Sequence, residues 1–288
     1  MLMTWKLWRR LKNPPRQNPW FKRWSTHKLI TFKYWGRSII GIVTVIFLLI
    51  ILTRSLAGIV LGLFSILAFL VFCLIFSGFV SGLFWCYLIA SETADKSRSG
   101  TLDQLAVSPQ GLLGTLFLLT TACLHRANVF KVIHVITKTL TLTIIAIAVV
   151  ELVGFMTYYE QWFSYAFLDD VLLLIIIALI FYSDHIQTTV LSSLIGQWAA
   201  LVWPDTSGRI LAILTFATFN FIIYIGGFLL ILGALNLINF DGIFPPLFVY
   251  FIYFWLIREV FTRFFAYLIT RKLNLPRDAW SDLFQFWF

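Results

Sequence analysis

Long apolar runs separated by short polar segments are the main pattern of this chain. A helix needs about 20 apolar residues to cross the hydrocarbon core of a bilayer. The pattern predicts six membrane-spanning helices at 38–53, 57–90, 139–156, 171–198, 210–235 and 244–269. The first run is short, and the second is long enough for its end to project beyond the hydrocarbon. We therefore predict an all-α, polytopic helical membrane protein with a transmembrane domain at 38–270.

Composition strengthens this prediction, because hydrophobic residues make up 60% of the chain and charged residues only 12%. Soluble domains have about 45–50% apolar and about 25% charged residues, so a soluble globule is excluded. The 30 Phe and 12 Trp residues also exclude a disordered chain. The three cysteines form no paired spacing, so we predict neither a disulfide framework nor a metal site.

The distribution of charge predicts how the spans are oriented. Ten of the 22 Lys and Arg residues precede Ser38, and no Asp or Glu accompanies them. The predicted outer loops, 157–170 and 236–242, contain acidic residues but no Lys or Arg. The loops of a membrane protein that are rich in Lys and Arg usually lie on the cytoplasmic side. We therefore expect a multi-pass protein of the cell membrane with both termini in the cytoplasm, including a cytoplasmic tail at 271–288.

The segment 1–37 is basic and rich in tryptophan. Cationic side chains mixed with aromatic rings suit the headgroup region of anionic lipids. We interpret the segment as a cytoplasmic, interfacial element whose partner is membrane lipid. The net charge of +9 does not indicate nucleic-acid binding, because the basic residues flank the spans rather than forming a soluble module.

The loop at 91–110 has the features of a short amphipathic helix. Thr101 can serve as its N-cap, and Leu102 and Leu105 share one face because they are three residues apart. Pro109 ends it, since the residue before a proline avoids helical geometry. A surface helix that lies on the membrane is the alternative interpretation.

The informative positions of this loop are Glu92, Gly100, Thr101, Leu102, Asp103, Leu105, Ser108 and Pro109. They resemble the signature that membrane subunits of ABC-2 type ATP-binding-cassette exporters carry in their first cytoplasmic loop. The resemblance covers 91–109 in sequence and most of the chain in its layout of spans. The chain departs from that family at 111–138, which separates the motif from the third span. Its apolar part, 111–124, is too short to cross a bilayer, so we predict a re-entrant or interfacial helix.

The resemblance implies a permease subunit that exports a substrate. In that family the loop helix is a coupling helix, which docks on a separate nucleotide-binding ATPase subunit. The leucines would bury in a cleft of that partner, and ATP and Mg²⁺ would bind there. A second permease copy, identical or paired, would complete the pathway. The chain itself has no G-x-x-x-x-G-K-[ST] phosphate loop, so we expect neither a cofactor nor enzymatic activity in it.

Several ionisable residues interrupt the predicted spans, and four of them are candidate functional residues. Asp184 and His185 lie in the fourth, and Arg258 and Glu259 lie in the sixth. Charged groups inside a membrane are costly and usually face other helices or water. They are candidates for lining a transport pathway or for pairing helices. A polytopic membrane enzyme, a secondary transporter and a regulatory scaffold remain alternative functions, and the substrate class is open.

Overall fold

The computed structural model describes residues 2–26, 59–106, 111–126, 129–158, 165–237, 244–276 and 279–280. All regular structure in these ranges is helical, as the sequence predicts. The helices are α1 (Met3–Lys12), α2 (Pro19–Thr26), α3 (Ile59–Arg98), α4 (Thr101–Ala106), α5 (Gly111–Arg126), α6 (Val129–Tyr158), α7 (Tyr165–Val202), α8 (Thr206–Leu237) and α9 (Phe244–Lys272).

Three described helices are long and apolar enough to cross a membrane. Their qualifying segments are Phe130–Val150 in α6, Val171–Val202 in α7 and Thr206–Leu230 in α8. α6 and α8 expose many large apolar side chains, which suits contact with lipid chains. The first predicted span, 38–53, lies outside the described residues. The number of spans therefore stays a prediction.

Several helices extend beyond the predicted spans. α3 continues through Arg98, so Glu92 belongs to a helix and not to a loop. α6 begins at Val129, and the residues from there to Lys138, which the sequence analysis assigned to a connection, are helical. α7, α8 and α9 each include the predicted apolar run and a few residues at its ends.

α7 is the central helix of the bundle and packs against α1, α3, α6, α8 and α9. Its residues from Asp184 to Gln197 are all buried, although many of them are polar. Such a helix needs hydrogen-bond partners from its neighbours, because unsatisfied polar groups away from water are costly. The buried polar side chains of α7 therefore make the centre of the bundle a candidate functional site.

α5 is a short helix whose residues from Leu113 to Leu124 are all buried. α1, α2, α3 and α4 pack around it. The sequence analysis predicted a re-entrant or interfacial helix here, and the helix itself is present at Gly111–Arg126. Its surroundings in the described residues are protein, which explains why it is apolar on every face.

Local signals fix the ends of several helices. The Asn18 side chain accepts the Trp20 backbone N–H at 2.9 Å, so it caps α2, and Pro19 occupies the favoured first position. Asp205 caps α8 in the same way, because the Gly208 backbone N–H donates to its Oδ1 at 3.3 Å. Gly100 has a φ of +65°, the left-handed conformation that ends α3.

Candidate functional site

The end of α3 is fastened to two other helices by ion pairs. Glu92 pairs with Arg126, at the end of α5. One turn further on, the Asp95 Oδ1 lies 2.7 Å from the Arg209 Nη2 at the start of α8. Asp95 is largely exposed, so this pair contributes little stability by itself. Together the two pairs fix the position of the last turns of α3 relative to α5 and α8.

A third contact joins the same region to the connection between α7 and α8. The Arg98 Nε donates a hydrogen bond to the Pro204 backbone carbonyl. Pro204 and Asp205 form the turn that leads from α7 into α8. The end of α3 is therefore connected to both helices of that turn.

The short helix α4 follows directly at Thr101–Ala106, within the loop where a short helix was predicted. The predicted role of Thr101 as its N-cap is wrong, because Thr101 is the first residue of the helix itself. Its hydroxyl lies 2.6 Å from the Ser99 hydroxyl, and the Gly100 carbonyl accepts the Gln104 N–H. The left-handed turn at Gly100 brings α4 back against α3 and α5.

Leu102 is packed inside the chain, with an exposed fraction of only 3%. We expected it to bury in a partner subunit, whereas here it anchors α4 to its own bundle. Gln104, on the same helix, is exposed. The side chains of Asp103 and Leu105, and residues Ser108 and Pro109, lie outside what the structure describes.

A buried ion pair joins α7 to α9. The Arg258 Nη2 lies 2.8 Å from the Asp184 Oδ1, and the Arg258 side chain is 0% exposed. The sequence analysis singled out both residues without predicting that they pair with each other. Their contact joins two apolar helices at a point where neither charge reaches solvent.

Three further polar residues complete this network. Arg258 donates to the Asn220 Oδ1 at 3.0 Å, to the Tyr224 hydroxyl at 3.2 Å and to the Thr188 hydroxyl. Tyr224 in turn donates to the Asp184 Oδ1 at 3.1 Å. The network is thereby built from α7, α8 and α9. Sequence reasoning missed Asn220 and Tyr224, and their only signal was a polar position within an apolar run.

The guanidinium and the carboxylate are also enclosed by non-polar groups. The Arg258 guanidinium carbon lies 4.2 Å from the centre of the Phe254 ring, a cation–π contact. On the other side, Gly78 of α3 lies so close that an added Cβ would be 2.0 Å from the Asp184 Oδ2. The pair is therefore shielded by protein, and this arrangement favours a helix-pairing role for Asp184 and Arg258.

Glu259 has a different role from its neighbour Arg258. Its carboxylate accepts the backbone N–H of Met3 at 2.8 Å, the backbone N–H of Thr4 at 3.2 Å and the Thr4 hydroxyl at 2.6 Å. These groups form the first turn of α1, whose amides have no partner within the helix. Arg263 also donates to Glu259, at 3.1 Å. Glu259 thus caps α1 from α9 and holds it on the bundle.

We expect Glu259→Gln to loosen α1 while leaving the rest of the bundle folded. The amide keeps the shape of the side chain but loses the charge, which strengthens hydrogen bonds from a helix N-terminus. The free energy that keeps the α1 amides closed should fall by roughly 1 kcal/mol. This corresponds to about a fivefold drop in their protection from hydrogen exchange. Hydrogen–deuterium exchange with mass spectrometry measures this. Arg263→Gln is the control, and equal loss in both variants would contradict capping by Glu259.

His185 lies against α1 and not in the ion-pair network. Its ring centre is 5.5 Å from that of Trp8 and 5.7 Å from that of His134 on α6. Trp8 also contacts the His134 ring at 5.3 Å. The His185 Nε2 and the His134 Nδ1 are buried without a hydrogen-bond partner among the described residues. Trp8 therefore fixes α1 between α6 and α7.

The other end of α1 is held by His125 at the end of α5. The His125 Nε2 lies 2.8 Å from the Leu11 carbonyl oxygen. Burial lowers the pKa of His125, and the charges of Lys131 and Arg16 lower it further, against the opposing effect of the Leu11 carbonyl. The neutral imidazole can still donate one N–H to that carbonyl. Leu7, Trp8 and Leu11 are consequently all buried.

No group of three or more His, Cys, Asp or Glu side chains that could hold a metal ion occurs among the described residues. Of the predicted candidates, the structure brings Asp184 together with Arg258, and it places His185 and Glu259 against α1. Glu92, Gly100, Thr101 and Leu102 lie together at the α3–α4 corner, which we define as residues 92–106. No protein-family model, curated protein or solved structure matches the chain.

Proposed function

We propose that this chain is the permease subunit of an ABC-2 type ATP-binding-cassette transporter. In this proposal it spans the cell membrane six times, with both termini in the cytoplasm, and exports a substrate. A separate nucleotide-binding subunit binds ATP and Mg²⁺ and hydrolyses the nucleotide. A second copy of the permease, identical or related, completes the pathway.

The observation that carries the proposal is the way the α3–α4 corner is built. Ion pairs join it to Arg126 on α5 and Arg209 on α8, and a hydrogen bond joins it to Pro204. Leu102 fastens α4 to the same unit. A force applied to α4 would therefore reach several long helices without being absorbed by a flexible loop. A coupling helix that receives the motion of an ATPase needs this mechanical connection.

The exposed face of α4 also supports docking of an ATPase subunit, although the contact would differ from the one predicted from the sequence. Gln104 is exposed, whereas Leu102 is used to fix α4 in place. The partner would then contact the outer face of α4 and its polar rim, and would not receive both leucines. Charged residues around such a contact determine register and partner choice more than affinity.

We expect Gln104→Arg to abolish stable association with the ATPase subunit. The guanidinium would be desolvated in the interface without an acceptor, and binding should weaken by at least about tenfold. The affinity-tagged full chain is purified in detergent from the cells that make it. Copurifying polypeptides are identified by mass spectrometry, and ATP hydrolysis of the preparation is measured.

Gln17→Arg is the matched control, because Gln17 is also exposed and lies in the connection between α1 and α2. This variant should retain the ATPase at the level of the unmodified chain. The proposal fails if no polypeptide with a phosphate loop accompanies the unmodified chain. It also fails if the two arginine variants retain the ATPase equally well.

A secondary transporter is the second candidate, favoured by the buried ionisable groups of Asp184 and Arg258. Such groups often carry protons or bind coupling ions when they face a water-filled cavity. Here they are paired with each other and enclosed by Phe254 and Gly78. Purification of a transport-competent chain without any ATP-hydrolysing partner would favour this candidate over the permease.

A further inference from the structure

A group of exposed basic side chains lies where α1 and the linker to α2 meet α6. We define the basic patch as Lys12, Arg16, Lys131 and Lys138, all of which are exposed. On α6, Lys131 and Lys138 are seven residues apart, a spacing that places them on the same face of a helix. Lys12 is the last residue of α1, and Arg16 lies in the linker to α2. Both therefore lie on the α1 side of the contact between α1 and α6.

Two contacts bring these elements together. Trp8 of α1 packs on the His134 ring, and both Lys12 and Lys138 act electrostatically on that histidine. The Leu11 carbonyl meets His125, on which the charges of Arg16 and Lys131 act. Each histidine therefore has one basic residue from the α1 side and one from α6 within electrostatic range. The Phe130 ring contacts both histidines, so the four charges surround the same contact region between α1 and α6.

In the part of the chain that the structure describes, no ion pair with a carboxylate neutralises this region. The sequence has no Asp or Glu before Glu92 and none between Asp103 and Glu151. Among the described residues, none of the four basic side chains forms an ion pair with an acid. Four like charges held close together repel each other, so the patch favours an anionic ligand.

Apolar side chains are exposed beside these charges. Val135 lies between Lys131 and Lys138 on the same face of α6 and is 60% exposed, and Val132 and Ile136 are similarly accessible. Trp5 and Trp20 are exposed on α1 and α2. A soluble anion would contact only the charges. A lipid would contact both the charges and the apolar side chains.

We infer that the basic patch binds the phosphate headgroup of an anionic phospholipid, with the lipid chains against the exposed apolar face of α6. This inference is independent of the proposed ATPase partner. It assigns a ligand to the face of α1 and α6 that does not pack on the bundle. Because Trp8 connects α1 to His134 and His185, the bound lipid would also stabilise the docked position of α1.

The test uses the delipidated full chain in detergent and native mass spectrometry. Binding of dioleoylphosphatidylglycerol is compared with binding of dioleoylphosphatidylcholine. Each basic side chain near an anionic headgroup contributes about a fivefold factor in affinity, so Lys12→Gln combined with Lys138→Gln should weaken phosphatidylglycerol binding by about 25-fold. Phosphatidylcholine binding should not change. Arg16→Gln combined with Lys131→Gln is an independent second variant with the same expectation.

Arg271→Gln combined with Lys272→Gln is the matched control, because both residues are exposed at the end of α9 and carry the same charge. Unchanged lipid preference in this variant supports a local site. The inference is overturned if the unmodified chain does not prefer phosphatidylglycerol, or if the control loses the preference to the same extent. Competition by glycerol 1-phosphate as tight as that by the lipid would also overturn it, since the ligand would then be a free phosphate.

Discussion

Replacing Arg258 with methionine should lower the free energy of unfolding by about 3–5 kcal/mol. The methionine fills part of the space of the arginine stem but leaves the Asp184 carboxylate buried without its partner. Asn220 also loses the donor to its Oδ1. Breaking a buried ion pair in this way is far more costly than removing the whole pair, because an uncompensated charge remains.

The measurement is an unfolding titration of the purified chain in detergent micelles. A second variant, Arg258→Met combined with Asp184→Asn, removes the uncompensated charge and should recover at least half of the lost stability. Arg271→Met on the same helix is the control, and its effect should be within about 0.5 kcal/mol. If the single and double variants are equally unstable, the charge of Asp184 is not what makes Arg258 necessary.

Gly208→Ala should destabilise the connection between α7 and α8 by about 1–3 kcal/mol. An added Cβ at Gly208 would lie 1.9 Å from the Trp203 carbonyl oxygen. That atom belongs to the backbone, so it cannot rotate away as a side chain could. The turn at Pro204 would have to open, which would also displace the acceptor of the Arg98 hydrogen bond.

Gly233→Ala on the same helix is the matched comparison. Apart from the adjacent backbone of α8 itself, no atom of the described residues lies within 4 Å of the position that its Cβ would occupy. Alanine stabilises a helix interior by about 0.5–1 kcal/mol relative to glycine, so this variant should be neutral or slightly more stable. Thermal denaturation of both variants measures the contrast. Equal midpoints would show that the turn accommodates the added methyl group.

The helices could be predicted from the sequence because their signals are local. The apolar runs identified α7, α8 and α9, and the polar stretch ending at Pro109 indicated the presence of the short helix α4. The extension of α3 to Arg98 was not predictable in this way. Its last turns contain Glu92 and Asp95, which are held by Arg126 and Arg209 from distant parts of the chain.

The pairing of the buried charges could not be predicted from the sequence either. Asp184 and Arg258 stand out in apolar runs, but they are 74 residues apart and no spacing rule connects them. The role of Glu259 was even less predictable, because its main partners are the backbone amides of Met3 and Thr4. Backbone amides occur at almost every residue, so nothing in the sequence identifies those of Met3 and Thr4 as the hydrogen-bond partners of Glu259.

The capping of α1 by Glu259 joins two parts of the chain that are 256 residues apart. A ribosome makes α1 before any of the helices that receive it, and α9 emerges last. The apolar stripe of Leu7, Trp8 and Leu11 can pack on α5, α6 and α7 once these are made, but the first amides of α1 gain the Glu259 carboxylate only with α9. The first turn of α1 therefore reaches its capped state only after α9 has been made, whereas its apolar side can pack earlier.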